Sequence, residues 1–284
     1  MIDGWRLDDP ETKKKLPVEA DVPEFMAEVG RSESATELDT AVGDLGLIAF
    51  YYLLRVGEYT KKSSRTGTKR TVQFRLSDVA FFKNDARGLL RLLPPEASDE
   101  DILSANGATL KIENQKNGWK NVCVHQQSNG DKYLCPVRAL SRRFIHIRRN
   151  TSNPSTELSA YWSKGGRADV TDKDIRASIK SAVAILDYPS QRGISVQDVD
   201  THSLRCGGAN ALALAGYSET QIQKMGRWRG DTFKEYMREQ LACYYVGMSK
   251  AMKQKFNFVN IAHGGMRDVT TNTVASPYVT APAA

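Results

Sequence analysis

The chain has 284 residues, and at roughly 150 residues per domain that allows one large domain with appendages or two modest ones. A hydrophobic content of 40% supports a sizeable core without disulfides or metals, which excludes both a mini-protein and a disordered chain. Lys and Arg number 40 against 33 Asp and Glu, a net charge of +7 that favours polyanionic partners such as nucleic acid or acidic lipid.

Residues 1–36 mix charges with Pro10, Pro17 and Pro23 and contain no apolar signal core, so they read as a linker or the remnant of an upstream segment. Leu38, Val42, Leu45, Ile48, Ala49 and Tyr52 then recur at spacings of three and four, an amphipathic helix with Arg55 at its C-terminal end. The apolar run over 45–54 is about half of the roughly 20 residues that cross a bilayer, so no membrane span is expected. Lys61, Lys62, Arg65, Lys69 and Arg70 follow among Ser and Gly as a basic loop. Short strands are expected over 71–74, 79–82, 89–93, 108–113 and 121–125. After Pro136 the pattern is helical over 137–149, 171–186, 202–215 and 218–227, and again from 231. Gly216 stands where a helix C-cap belongs, and Ser218 with Gln221 forms a capping box.

The folded body is therefore expected over 37–258, mainly α with a small antiparallel β-sheet, and 259–284 as a disordered tail. Cys123, Cys135, Cys206 and Cys243 include no CxxC pair and no His at zinc-finger spacing. They read as reduced thiols of an intracellular protein without a structural metal.

Chemistry is concentrated in four separated segments. LLRVGEYT carries Arg55 and Glu58, and the hairpin TLKIENQKNGWKNVCV carries Lys116 in its turn. THSLRCGG places His202 and Arg205 one helical turn apart, on one face. GRWRGDTFKEYM carries Trp228 eight residues before Tyr236. Taken singly, each of these side chains has an ordinary structural role, as a helix-end cation, a turn lysine, a surface pair or a packed aromatic.

Together they suit transfer of a phosphodiester to a protein hydroxyl. Two guanidinium forks can hold the non-bridging oxygens of one phosphate and stabilise a pentacovalent transition state. A phenol becomes a nucleophile when a base such as His202 takes its proton, and a lysine can protonate the departing 5′ oxygen. With cations doing this work, no metal or other cofactor is required.

The ordered combination LLRVGEY, QKNGWKN, HSLRCGGANALALAGYSETQIQKMGRW and FKEYM resembles the catalytic domain of the tyrosine recombinase (phage integrase) superfamily, in its Crypton-like and DIRS-like mobile-element branch. The resemblance spans about residues 38–245 and implies the fold of that DNA breaking-rejoining domain. It implies that Arg55 and Arg205 clamp the scissile phosphate, Lys116 is the general acid, His202 assists proton transfer, and Trp228 donates its indole N–H to the phosphate. Tyr236 would form the 3′-phosphotyrosyl bond, and Glu58 would orient the active-site loop. Lys111 and Lys120 share the hairpin with Lys116, so the identity of the general acid stays open. Double-stranded DNA is the implied partner, with a homotetramer on DNA when active, and the nucleus is the expected compartment in a eukaryotic host. Lys61, Lys62, Arg65, Lys69, Arg70, Arg142 and Arg143 become candidates for backbone phosphate contacts. A silent DNA-binding remnant of a mobile element, or a type IB topoisomerase-like activity, are the alternatives.

Overall fold

The structure, a computed structural model, describes residues 15–61, 71–113, 121–228 and 230. Helix α1 (Asp21–Val29) has Pro23 in its first turn, where the missing N–H breaks no helical hydrogen bond. Val22 and Met26, one turn apart, are buried in the main core together with Val18. The linker expected over 1–36 is thus corrected for its described part, because α1 packs against α2 (Glu37–Tyr51).

Helix α2 opens on a reciprocal cap: Asp39 N–H donates to Thr36 Oγ1 at 3.1 Å, and Thr36 N–H donates to Asp39 Oδ2 at 2.9 Å. Every residue from Ala41 to Phe50 is buried, so its second half is enclosed on all sides rather than amphipathic. The chain turns through Leu53 into the short helix α3 (Val56–Tyr59).

Four strands form one antiparallel sheet: β1 (Val79–Asn84), β2 (Leu90–Leu92), β3 (Gly107–Ile112) and β4 (Val122–Gln127), in the order β2-β1-β3-β4. Helix α4 (Asp99–Leu103) links β2 to β3. The β3–β4 register runs from Gly107 opposite Gln127 to Ile112 opposite Val122. Lys116 and Lys120, in the connection between these strands, lie outside the described residues. Phe81 meets Phe144 of α5 (Pro136–Asn150) edge-on at 5.3 Å, which seats the sheet on that helix. The segment 71–74 is not a strand. Its Phe74 is buried, and its main chain bonds to a helix and a loop, donating to Glu58 O of α3 at 2.9 Å and accepting from Leu158 N–H at 2.8 Å.

A hairpin of β5 (Ala160–Ser163) and β6 (Gly166–Asp169) precedes α6 (Asp172–Ile185), α7 (Tyr188–Arg192), α8 (His202–Leu214) and α9 (Glu219–Gly226). The architecture is mainly α with a small antiparallel sheet. Gly216 takes the left-handed turn after α8, with φ 84°, and Ser218 caps α9 by accepting from Gln221 N–H. The helix expected from 231 and the tail over 259–284 lie outside the described residues. Among the described residues, no helix is long and apolar enough to cross a membrane.

Helix α8 crosses the C-terminal end of α2 in close backbone contact. A Cβ on Gly208 would collide with Phe50 O and lie 2.5 Å from Leu53 Cδ2, and one on Gly207 would collide with Val18 O. The glycine pair, unfavourable in a helix interior by about 1 kcal/mol each, is what lets α8 lie this close.

Candidate active site

The site is built where α2 ends. Leu53 adopts φ 50°, a conformation uncommon for a non-glycine residue. It turns its carbonyl toward α8 and α9, where Arg205 Nη1 and Arg227 Nη2 both donate to it. The turn also releases Arg55 from the helix on which it was expected. Arg55 instead sits at the N-cap of α3, its main-chain N–H donating to Glu58 Oε2 at 2.9 Å and its Nη1 lying 3.4 Å from Glu58 Oε1. Glu58 therefore orients Arg55 through both backbone and side chain.

Helix α8 carries His202 in its first turn and Arg205 one turn later, on the same face. Arg205 is 1% exposed, with Nη1 donating to Leu53 O and Nη2 to Gly226 O. The Trp228 ring covers its guanidinium at 4.4 Å, a cation–π contact. Leu53, Ala209, Ile222 and Trp228 make a small apolar cluster beneath these charges. Burial, then the positive charges of Arg205 and Arg55, push the His202 pKa down to about 4, against an opposing pull from Asp200. The imidazole is neutral at physiological pH.

Arg227 was not among the candidates. It follows α9 in a left-handed conformation, φ 59°, and is 1% exposed, as is Glu58. Its Nη2 donates to Glu58 Oε2 at 2.8 Å, and Nη1 donates to Tyr52 O at 3.2 Å. Burial lowers its pKa, the Glu58 carboxylate raises it, and the Arg55 charge lowers it. In the sequence, Arg227 is the last residue of the helix expected over 218–227. The signal that could have singled it out is Glu58, a carboxylate in an apolar turn that needs a counter-ion once buried.

Arg55, Glu58, His202, Arg205 and Trp228 thus converge from segments more than a hundred residues apart. Arg55, with 22% of its side chain exposed, is the one of the three clustered arginines that reaches the surface. Lys116 and Tyr236 lie outside the described residues.

Of the basic residues expected on a DNA-facing surface, Lys62, Arg65, Lys69 and Arg70 also lie outside the described residues. Lys61 is exposed and pairs with Asp169 at 2.8 Å. Arg142 and Arg143 require correction. Arg142 grips the buried Asp44 of α2, with Nε and Nη2 at 2.9 and 2.6 Å from Oδ1. Arg143 is fully buried and donates to the carbonyls of Leu158 and Ala160. Both lie where α5 meets the core, so they serve the fold.

No family model matches the chain, and no curated protein matches it. Among solved structures it is similar to XerA recombinase at 15% identity and a TM-score of 0.47, over 87% of this chain and 67% of that one. It is similar to the XerH site-specific recombinase, solved bound to its difH substrate in a pre-cleavage complex, at 13% identity and a TM-score of 0.49. That match covers 84% of this chain and 53% of the XerH chain, so the present chain spans about half of that protein's length. The Tn1549 transposon integrase, solved with transposon right-end DNA, is similar at 12% identity and a TM-score of 0.43, covering 88% of this chain and 70% of that one.

Proposed function

We propose that this chain is a DNA strand-transferase of the tyrosine recombinase type, from the Crypton-like and DIRS-like branch of mobile-element enzymes, acting on double-stranded DNA as a homotetramer. The observation that carries the reading is the convergence of Arg55 and Arg205 on a neutral His202. Two guanidiniums beside an uncharged imidazole suit a phosphodiester whose negative charge grows in the transition state. In this reading the catalytic domain takes in the segment from residue 15 as well as the expected body over 37–258.

The Tyr236 phenol oxygen attacks phosphorus, the bond to the 5′ oxygen breaks, and the 3′-phosphotyrosyl bond retains the energy for rejoining. His202 accepts the phenol proton, and Lys116 gives a proton to the leaving oxygen. A pKa near 4 makes His202 a weak base in the empty site. Burial, the larger cause of the depression, remains when a phosphate binds between Arg55 and Arg205, but the phosphate offsets the part due to their charges, so substrate raises the basicity of the group that must take the proton. Trp228 packs on Arg205 and contributes its indole at the same phosphate.

The full burial of Arg205 under Trp228 is the observation that favours the second reading, a silent DNA-binding remnant. One experiment separates them. An active enzyme leaves an SDS-resistant protein–DNA adduct on a library of nicked duplexes, and Tyr236→Phe abolishes the adduct while retaining DNA affinity. A remnant shifts DNA without forming an adduct. A topoisomerase relaxes a plasmid with no target site. Full adduct formation by Tyr236→Phe overturns the nucleophile assignment.

A further inference from the structure

Among the described residues, Glu58 is the buried carboxylate that two of the site's guanidiniums, Arg55 and Arg227, face. Glu58 Oε2 receives the Arg55 main-chain N–H at 2.9 Å and Arg227 Nη2 at 2.8 Å, while Oε1 faces Arg55 Nη1 at the longer distance of 3.4 Å. Arg227 is fixed in turn by the carbonyls of Tyr52 and Leu53, each at 3.2 Å. The stronger side-chain contact of Glu58 is therefore to the buried arginine, and the weaker one is to the arginine that reaches the surface.

We infer that Arg227 is a positioning residue for strand cleavage: it neutralises Glu58 and thereby keeps that carboxylate from drawing the Arg55 guanidinium away from the scissile phosphate. The inference rests on the recombinase reading. A carboxylate buried this deeply needs a cation. Without Arg227, the cation placed to serve is Arg55, which would close on Glu58 with both prongs and turn away from the phosphate. Arg227 is paired with Glu58 Oε2 at 2.8 Å and donates to the Tyr52 and Leu53 carbonyls at 3.2 Å, so its influence passes through Glu58.

The test uses single-turnover adduct formation on a nicked duplex, DNA affinity, and water exchange of the Arg55 guanidinium protons by NMR, on the full chain. R227M is expected to cleave about tenfold to a hundredfold more slowly, the scale for losing a supporting partner of an active-site group, with DNA affinity unchanged and Arg55 proton exchange slowed. E58Q/R227M removes the carboxylate that captures Arg55 and is expected to recover most of the rate, a recovery that a merely structural role would not give. If R227M does not fold, R227Q keeps donors for the Tyr52 and Leu53 carbonyls without the charge and carries the same expectation. A folded variant with wild-type rate and unaltered Arg55 exchange overturns the inference, as does a double variant no faster than the single one. Absence of any adduct from the wild-type chain sinks the recombinase reading instead, and the exchange measurement, which needs no DNA, then decides the role of Arg227.

Discussion

Gly208→Ala probes the link between packing and chemistry. The new methyl group would collide with Phe50 O and lie 2.5 Å from Leu53 Cδ2, against about 3.4 Å for an ordinary contact, so α8 must retreat from α2 by about 1 Å. Overpacking of a close-fitted contact costs about 1–3 kcal/mol, and a clash against backbone belongs at the upper end. The helix propensity of Ala returns about 1 kcal/mol. The net loss is about 2 kcal/mol, a fall in Tm of about 4–8 °C for a domain of this size. The same displacement moves His202 and Arg205 relative to Arg55, and about 1 Å of misplacement costs about a hundredfold in rate. Gly165→Ala, whose nearest neighbour would be Ser163 Oγ at 3.8 Å, is the control. Thermal denaturation and single-turnover adduct formation read the two effects. A Gly208→Ala protein with unchanged or raised Tm refutes the reasoning, because the close approach of α8 would then be dispensable.

The depressed pKa of His202 has a consequence for stability. The unfolded chain takes up a proton near pH 6.5 and the folded one only near pH 4, so stability falls as the pH drops through that window, by up to about 3 kcal/mol, and changes no further below it. His202→Gln should flatten the profile of urea midpoint against pH between 6.5 and 4, and an unaltered slope would show that another group sets it. Arg142→Ala leaves Asp44 buried without its two-pronged partner and should cost about 3 kcal/mol. DNA affinity should be unchanged, and a loss of affinity with full stability would restore Arg142 to the DNA surface. Lys116→Ala should slow cleavage by about a hundredfold or more, the usual scale for a general acid. It should recover on a duplex with sulfur at the bridging 5′ position, since a thiolate of pKa near 8.5 leaves without protonation. If Lys111→Ala or Lys120→Ala shows the recovery instead, the acid lies elsewhere in the hairpin.

Elements with strong periodicity and local caps were legible in the sequence. The capping box of Ser218 with Gln221, the turn at Gly216, the strands expected over 108–113 and 121–125 and the shared face of His202 and Arg205 all follow from spacing, and the structure has each of them, the two strands to within two residues. Helix α1 was missed because three prolines outweighed the Val22 and Met26 pair, although Pro23 stands in a first turn. Hairpin β5–β6 and helix α7 span only four or five residues each, too few for a period to declare itself. Arg142 and Arg143 were misread for a different reason. Charge runs are normally solvated, and nothing local reveals that Asp44, nearly a hundred residues earlier, lies opposite Arg142, or that the carbonyls of Leu158 and Ala160 await a donor. Arg227 was hidden in the same way, since its partners Tyr52, Leu53 and Glu58 lie about 170 residues away.

Among the described residues, the largest fully buried side chains are Arg143, Arg205 and Arg227, and each donates to carbonyls at the ends of regular elements or in the turns beside them. Arg143 serves Leu158 and Ala160, Arg205 serves Leu53 and Gly226, and Arg227 serves Tyr52 and Leu53. A buried carbonyl at a helix end or irregular turn needs a donor, and a guanidinium offers five in a planar fork. Two of these three arginines converge on Leu53, the residue whose turn sets the position of Arg55. The charge that a phosphate would meet and the bonds that close α2 onto α8 and α9 are therefore supplied by the same groups. Lysine keeps the charge but lacks the fork, so Arg205→Lys should lose stability and cleavage together, whereas Arg55→Lys, at a partly exposed position, should lose cleavage while keeping its Tm. Equal stability loss in both would place Arg55 among the structural arginines and leave the site without its exposed phosphate ligand.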